Sequence, residues 1–386
     1  MLQKVSIQNF KSLKDVTLEL QKVNLLIGPN NSGKSNFLKA LELWDIIDDE
    51  QIDEVSKWFK SSDVFQKENN NEVVFKLTLE KVSPGKKENQ AILGIKYGDF
   101  LSGITNKIGL HITNYKFWQD ALPNENQQNW VIDTDNSSFP ISYYFINFFK
   151  NIKLYKPNPT KLITPFPILP NQPLVNNDAS NLIAFFDTLR DEYPENFKAI
   201  ENDLNKCIPE LSGLRFENVE IKKDDDLFKI YGDKTFKRLG LFDNVNKITY
   251  WADELSEGTL YFLALLCIVH QPNPPKLLLL EEPEKGIHPR RIHEVMKFIF
   301  QLAEDKDIQV IMTSHNEHVL EEFTLIPEAV FIFDKDDEGA TFVKNLQKDI
   351  IEPDTKKAIE FGIEPIDYLD NIGENWFMGL MGGVPA

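Results

Sequence analysis

The sequence predicts an α/β fold built on a parallel sheet, because three short apolar segments each end in a chemically distinctive cluster. Residues 22–27 precede a glycine-rich loop, and an amphipathic helix follows that loop. Residues 277–280 are four leucines that end in two glutamates, and residues 308–312 end in Thr-Ser-His. Continuous apolar runs are typical of central parallel strands, and open α/β sheets bind ligands at the carboxyl ends of their strands. We therefore expect a mixed or parallel sheet flanked by helices, with additional antiparallel strands.

The glycine-rich loop has the form G-x-x-x-x-G-K-S and predicts a phosphate site. Its residues are Gly28, Pro29, Asn30, Asn31, Ser32, Gly33, Lys34 and Ser35, with Asn36 following. The glycines let successive backbone N–H groups point inward at phosphate oxygens, and Lys34 supplies a positive charge. Ser35 places a hydroxyl on Mg²⁺ at a helix start, whose dipole favours the same anion.

The amino-terminal strands carry the resemblance to a known family. Residues 4–10 and 16–20 alternate apolar and polar side chains, which predicts two half-buried strands before the loop. The run KVSIQNFKSLKDVTLELQKVNLLIGPNNSGKSNFLKAL resembles the amino terminus of ABC-type ATPases related to RecF, SMC and the OLD family. The resemblance implies an ABC-type ATPase head that uses ATP and Mg²⁺, with residues 28–36 binding the nucleotide.

The middle of the chain predicts a compact inserted α+β or helical domain. Strands are expected at residues 72–79 and 91–97, a polar loop at 124–138, and helices at 182–189 and 194–207. Residues 157–173 hold six prolines, which predicts no regular structure there. No heptad pattern is sustained, so a long coiled-coil arm of the SMC kind is not expected.

Four segments follow from these features. We expect an amino-terminal half of the head, an insertion, a carboxyl-terminal half of the head and a tail, at residues 1–47, 48–250, 251–350 and 351–386. Residues 329–333 and 340–343 are expected to pair as a hairpin. The tail ends in Gly382-Gly383-Val384-Pro385, to which the sequence assigns no role.

Residues 255–260 read Leu-Ser-Glu-Gly-Thr-Leu and precede an apolar helix at 261–270. The Ser256 hydroxyl, the Gly258 N–H and the helix dipole together would make an anion site. A simple helix cap by Ser256 is the alternative. The segment resembles the ABC signature motif, which implies that Ser256 and Gly258 address a γ-phosphate held by a second subunit.

The two glutamates after the leucine strand predict the metal and catalytic groups. Glu281 would hold the Mg²⁺ shell, and Glu282 would orient and deprotonate the attacking water. A carboxylate pair at a buried strand end without such a role would be costly to desolvate. The sequence "EEPE" resembles the form of this motif in the OLD-like branch.

Two histidines follow in the same region. His315 comes directly after the strand at 308–312 and resembles the switch histidine that donates to the γ-phosphate. His288 lies within residues 283–289, which resemble a segment that contacts the second subunit. For His288 itself, a structural turn and a functional role both stay open. The helix expected at 291–304 has one apolar face, which we interpret as core.

Charge and composition limit the partners. The net charge is −18, whereas proteins that hold duplex DNA usually present a basic face. Lys237-Arg238 and Arg290-Arg291 are the compact basic pairs, and solvated surface charge is the simpler interpretation of both. Nucleic acid is therefore possible but not indicated. No apolar run is long enough to span a bilayer, so we expect a cytoplasmic protein without a membrane partner.

The two cysteines, Cys207 and Cys267, have no ligand partner at metal-site spacing, so we expect inert core residues rather than a disulfide or a metal site.

Several functions are compatible with an ATPase head. The first is a homodimer, or a higher homo-oligomer, that acts as a nucleotide-driven sensor with a separate effector such as a nuclease, in bacterial defence against phage or plasmids. The resemblance to small OLD-like ATPases implies this, because too few residues follow His315 for a Toprim nuclease domain. The alternatives are a RecF-like ATP-dependent DNA clamp in repair and a scaffold with structural nucleotide. A transporter subunit is disfavoured, because "NFKSL" and "EEPE" resemble the soluble branch of the ABC-type ATPases.

Overall fold

The computed structural model describes residues 1–46, 72–79, 89–99, 108–118, 152–285 and 287–384. The polar loop expected at 124–138 lies outside these residues. The chain divides into two compact units. The first comprises residues 1–154, 276–281 and 300–386, and the second comprises residues 155–275 and 282–299.

The described strands, in chain order, are β1 (Leu2–Phe10), β2 (Leu13–Glu19), β3 (Val23–Ile27), β4 (Glu72–Leu79), β5 (Asn89–Asp99), β6 (Ile108–Trp118), β7 (Leu154–Tyr155), β8 (Phe166–Pro167), β9 (Leu211–Val219), β10 (Phe236–Asp243), β11 (Ile248–Trp251), β12 (Leu277–Glu281), β13 (Gln309–Thr313), β14 (Val330–Lys335) and β15 (Thr341–Asn345).

The described α-helices are α1 (Lys34–Ile46), α2 (Pro159–Ile163), α3 (Leu182–Glu192), α4 (Pro194–Cys207), α5 (Asp226–Tyr231), α6 (Glu257–Val269), α7 (Pro289–Asp305), α8 (Glu317–Glu321), α9 (Glu352–Phe361) and α10 (Ile372–Phe377). Among the described residues, no helix is long and apolar enough to cross a membrane.

A mixed sheet organises the first unit, with its strands in the order β15–β14–β3–β13–β12. The pairs β14–β3, β3–β13 and β13–β12 are parallel, whereas β15 is antiparallel to β14. The leucines of β12 are all buried, and full burial of each contributes about 1.5–3 kcal/mol. The predicted parallel sheet and its hairpin are confirmed.

A second, antiparallel sheet in the same unit has the order β2–β1–β4–β5–β6. The alternating side chains of β1 and β2 bury one face in a common core, where Phe10 meets Phe75 edge to face. Helix α1 packs into this core, and Phe37 lies 6.0 Å from Phe333 of β14, ring centroid to ring centroid. The two half-buried strands expected before the glycine-rich loop are confirmed as β1 and β2, and the α/β fold class with them.

In the second unit, β10 pairs with β8, β9 and β11 in an antiparallel sheet. Helix α6 is buried around most of its circumference, which explains why its sequence is apolar without a polar face. Helix α3 buries Phe185 and Phe186, and the latter contacts Phe216 of β9. The helices expected at 182–189 and 194–207 are confirmed as α3 and α4.

Two expectations are wrong. The six-proline segment contains regular structure, because Pro159 occupies the first turn of α2, where a missing N–H costs nothing, and Asn158 caps that helix. Pro167 lies in the two-residue strand β8 at the end of its sheet. Cys267 is buried as expected, but Cys207 is exposed, because it lies at the carboxyl end of α4.

Candidate functional site

The glycine-rich loop connects β3 to α1 through backbone that favours glycine. Gly28 has φ +141° and Gly33 has φ +107°, and Asn31 at the exposed tip has φ +65°. A tight turn closes between them, where the Ser32 N–H donates to the Pro29 carbonyl oxygen at 3.2 Å. This wrapped backbone is the form that a phosphate cradle needs. The strand–loop–helix order expected from the sequence is present.

Lys34 folds back over the loop rather than extending into solvent. Its Nζ atom donates to the carbonyl oxygens of Gly28 and Pro29, both at 2.8 Å, and contacts Ser32 Oγ at 3.3 Å. The residue is only 5% exposed. The ammonium group is therefore held at the loop, where it would meet the outer phosphates of a nucleotide.

The hydroxyl and carboxylate expected to share a metal ion lie together. Ser35 Oγ donates to Glu281 Oε1 at 2.6 Å, although the two residues are 246 positions apart. Mg²⁺ prefers oxygen ligands and is usually held by one or two carboxylates plus substrate phosphates. Among the described residues, no group of three or more His, Cys, Asp or Glu could hold a metal alone. The donor set of Ser35 and Glu281 therefore fits Mg²⁺ bound together with a nucleotide.

The register of the parallel strands explains why these groups meet. Glu281 is paired with Thr313 across β12 and β13, and Thr313 is paired with Leu26 of β3. The Ser314 N–H extends this ladder by donating to the Leu26 carbonyl oxygen at 3.1 Å. The carboxyl ends of three neighbouring strands thus lie at one edge. This edge carries the glycine-rich loop, Glu281 and, two residues beyond β13, the half-buried His315.

Glu282 follows β12 in a left-handed conformation, with φ +50°. Such backbone costs roughly 1–2 kcal/mol in a residue other than glycine, so the surrounding structure holds it in place. Its side chain is 29% exposed, and Lys285 Nζ lies 3.9 Å away. Burial, together with the carboxylates of Glu284 and Glu282, raises the pKa of the Tyr261 hydroxyl in the same unit. Tyr261 therefore stays protonated beside these carboxylates.

The signature segment forms the start of α6. Ser256 is the N-cap residue, and its Oγ atom accepts from the Thr259 N–H at 3.1 Å and lies 2.8 Å from Thr259 Oγ1. Gly258 lies in the first turn, where N–H groups have no partner within the helix. The helix cap raised as an alternative is thus present, and it leaves the dipole end of α6 oriented as an anion site requires.

A cavity of about 250 Å³ adjoins this helix start within the second unit. Ser256, Gly258 and Phe262 line it from α6, and Arg291 and Val295 line it from α7. His288 borders it as well, and its Nδ1 atom accepts from the Arg290 N–H at 3.3 Å. This contact stabilises the start of α7. It is a structural role of the kind expected for a turn histidine.

The basic pair Lys237-Arg238 is neutralised by acidic neighbours. Lys237 Nζ lies 3.1 Å from Asp187 Oδ1, and Arg238 pairs with Glu217 at 2.5 Å while stacking over the Trp251 ring. Arg290 and Arg291 are exposed at the start of α7. The first pair is therefore engaged by acidic residues of α3 and β9 and leaves little charge for a phosphate backbone.

Two residues support the loop in ways that its sequence motif does not predict. Thr341 Oγ1 lies 2.8 Å from Ser12 Oγ and 2.8 Å from the Ser32 carbonyl oxygen, and the Thr341 N–H donates to the Ser12 carbonyl oxygen at 2.7 Å. Ser12 also accepts from Asn36 Nδ2 at 2.9 Å. Ser12 belongs to the "NFKSL" run, and this sequence motif could have identified it. No sequence motif identifies Thr341, because its contact with Ser32 spans 309 positions.

Comparisons with known proteins concern the sequence and the fold of this chain. Residues 23–321 match the model of a family described as "AAA domain, putative AbiEii toxin, Type IV TA system". A curated relative, the energy-coupling factor transporter ATP-binding protein EcfA2 of Clostridium perfringens (strain SM101 / Type A), is 25% identical over 160 residues. That match covers 41% of this chain and 52%, about half, of the relative.

Solved structures of SMC heads share the fold. An SMC head bound to the C-terminal winged-helix domain of ScpA aligns with a TM-score of 0.53 at 13% identity, over 89% of this chain and 96% of the other. An SMC head with an extended coiled coil, bound to the C-terminal domain of ScpA derived from Pyrococcus furiosus, aligns with a TM-score of 0.52 at 11% identity. The alignment covers 93% of this chain and 98% of the other. At these identities the likeness establishes the fold.

Proposed function

This chain belongs to the AAA-domain family of putative AbiEii toxins, and from that premise we propose that it is an ATP-hydrolysing, nucleotide-driven switch. The family, the ABC-type fold and the motif order make it a P-loop ATPase of the RecF/SMC/OLD kind. The observation that carries the proposal is the 2.6 Å hydrogen bond from Ser35 Oγ to Glu281 Oε1, next to the buried ammonium of Lys34.

The phosphate side of the reaction falls to the glycine-rich loop. Residues 28–36 bind the phosphates of ATP through backbone N–H groups, and Lys34 neutralises charge on the outer phosphates. Ser35 and Glu281 would hold Mg²⁺, which would supply further positive charge to the phosphate oxygens. Little covalent chemistry is asked of the protein, because phosphoryl transfer is promoted mainly by positioning and charge.

Water activation falls to Glu282, with His315 as a second polar group. Glu282 directly follows the metal-binding Glu281, and its left-handed backbone fixes where its carboxylate begins. It accepts a proton from the attacking water as general base. His315 donates a hydrogen bond to the γ-phosphate from the end of β13.

The site is completed by a second copy of this chain. Ser256 and Gly258 of one copy address the γ-phosphate held by Lys34 and Ser35 of the other, and the dipole end of α6 supports this role. A lone subunit then hydrolyses ATP slowly, because half of the phosphate clamp is missing.

The proposed role is a sensor that works with a separate effector in bacterial defence against phage or plasmids. The family description, which names a putative toxin of a toxin–antitoxin system, supports that direction. Exposed apolar side chains near the carboxyl terminus, Phe361 and Phe377 among them, support a protein partner. The net charge of −18 and the neutralised Lys237-Arg238 pair count against a DNA clamp.

The proposal is tested by the variant Glu282→Gln, which keeps the size of the side chain but removes the base. We expect ATP hydrolysis to fall by about 100-fold or more, since general-base catalysis contributes about 10²–10⁴-fold. Binding of ATP and Mg²⁺ is retained, and light scattering shows an ATP-dependent dimer. Exposed Glu360→Gln on α9 is the matched control and leaves turnover unchanged. Turnover by Glu282→Gln equal to that of the unaltered chain would sink the catalytic assignment.

The choice of partner needs a second measurement. Co-purification of the product of a neighbouring gene, strengthened by ATP, supports the effector. Stimulation of ATPase activity by duplex DNA, with affinity that falls steeply as salt rises, instead supports the RecF-like clamp.

A further inference from the structure

Residues 372–384 form helix α10 and the series of turns that follows it, which together we call the α10 segment. Helix α10 ends at Phe377, and the chain then turns back through Gly379, Gly382 and Gly383, which all have positive φ. The Met378 N–H donates to the Glu374 carbonyl oxygen at 2.9 Å. Such a run of turns needs a reason, because glycines are costly to order.

A buried side chain holds the turns of the α10 segment together. Trp376 is 1% exposed, and its Nε1 atom donates to the Gly383 carbonyl oxygen at 2.8 Å. A buried indole N–H normally finds a partner, and this partner lies seven positions further along the chain. Trp376 therefore fixes where Gly383 lies.

Gly383 lies against Gly28, the first glycine of the glycine-rich loop. A Cβ atom on Gly383 would be 2.5 Å from Ile332 Cγ2, 3.3 Å from the Phe333 carbonyl oxygen and 3.6 Å from Gly28 Cα. A Cβ atom on Gly28 would in turn be 2.1 Å from the Phe333 carbonyl oxygen. The backbones of Gly383, Phe333 and Gly28 thus pack with no space for a side chain.

This packing reaches the ammonium group of the site. The Gly28 carbonyl oxygen accepts from Lys34 Nζ at 2.8 Å, so a displacement of Gly28 also displaces one of the contacts that hold Lys34. We propose that Trp376 and Gly383 are positioning residues for the glycine-rich loop, so that the α10 segment sets the affinity of this chain for ATP. The proposal rests on the nucleotide-binding role proposed above for Lys34.

A pair of adjacent glycines provides the test. Gly383→Ala introduces a Cβ atom into the crowded contact. Gly382→Ala introduces one where, among the described residues, no atom beyond its chain neighbours lies within 4 Å. Both residues have left-handed backbone, with φ +60° and φ +76°, so both variants carry a comparable backbone strain. The difference between the two variants therefore reports the contact with Gly28 and Ile332.

The measurements are the affinity for a fluorescent ATP analogue with Mg²⁺, KM and kcat, and amide hydrogen exchange of residues 28–34 without nucleotide. We expect Gly383→Ala to weaken binding by about ten-fold relative to Gly382→Ala, which corresponds to the loss of one hydrogen-bond contact. KM rises more than kcat falls, and exchange at the loop becomes faster. Equal affinity and equal exchange in the two variants would overturn the proposal.

A milder variant covers the case in which Gly383→Ala does not fold. Trp376→Phe keeps a buried ring but removes the Nε1 donor, and Phe377→Ala changes the neighbouring side chain, which is 65% exposed. We expect Trp376→Phe to weaken nucleotide binding about three- to ten-fold and Phe377→Ala to leave it unchanged. If Trp376→Phe lowers only the melting temperature, the α10 segment has no role in positioning the glycine-rich loop. If the unaltered chain binds no ATP, the proposed function fails instead.

Discussion

The glycine-rich loop and the start of helix α6 are the two anion sites proposed above, and they are held in different ways. The loop depends on Glu281, Thr341 and Gly383, which are hundreds of positions away in sequence. Ser256 is held by Thr259, three positions away. The loop therefore takes its shape only when the surrounding sheet has formed, whereas the start of α6 takes its shape with its own first turn.

The largest expected effect breaks the long-range support of the loop. In Gly33→Ala, the new Cβ atom would lie 2.3 Å from Thr341 Oγ1, and φ +107° strains any residue other than glycine. We expect ATP binding to weaken about 100-fold, equivalent to about 2.7 kcal/mol, as measured by titration calorimetry.

The matched control for that variant is Gly339→Ala in the β14–β15 turn. Gly339 has φ +80°, but in the part of the chain that the structure describes no atom beyond its chain neighbours lies within 4 Å of the position of its Cβ. It carries the backbone strain without the crowding, so we expect a lower melting temperature and unchanged ATP affinity. Equal losses of affinity in the two variants would contradict the role assigned to the contact with Thr341.

A smaller effect is expected when only the hydroxyl of Thr341 is removed. Thr341→Val keeps the shape of the buried side chain but takes away the group between Ser12 Oγ and the Ser32 carbonyl oxygen. Unsatisfied buried polar groups cost about 1–3 kcal/mol, so we expect the free energy of unfolding in urea to fall by roughly 1–2 kcal/mol. Affinity for ATP should fall as well, because the loop loosens. A Thr341→Ser variant, which restores the hydroxyl, should recover affinity.

The smallest effect on folding and binding is expected at the locally held helix start. Ser256→Ala removes the N-cap of α6 and should lower the free energy of unfolding by about 1 kcal/mol. ATP affinity of the isolated subunit should not change, but turnover at high protein concentration should drop, because the second copy of the proposed dimer would no longer supply the hydroxyl. Ser256→Asp separates the two roles, since aspartate caps helices well but repels a phosphate. Normal turnover by Ser256→Asp would argue against the contribution of this residue to the second subunit.

Local pattern was sufficient for the parallel strands and failed for the sheet of the second unit. β12 is a run of leucines between polar residues, so its burial could be inferred directly. β10 carries Lys237 and Arg238 near its start, and their charges are balanced by Asp187 of α3 and Glu217 of β9. No window of sequence around β10 contains those partners, so the sequence pattern does not predict this strand.

The six-proline segment shows the same limit from the other side. A count of prolines favoured irregular structure, but the position of each proline matters more than the number. Pro159 lies where α2 has a free first turn, and Pro167 lies at the end of a sheet. Position relative to neighbouring strands is a property of the folded chain.

The sequence by itself determined which residues are candidates for the chemistry of this protein, because the glycine-rich loop, the two glutamates and Ser256 each lie within one short segment. Tertiary structure alone decided how the loop is supported. Hydrogen bonds and close backbone contacts act over a few ångströms, so they join Ser35 to Glu281, Gly33 to Thr341 and Gly28 to Gly383. Residues that far apart in the chain meet only because parallel strands end at one edge of the sheet and the carboxyl-terminal glycines turn back onto that edge.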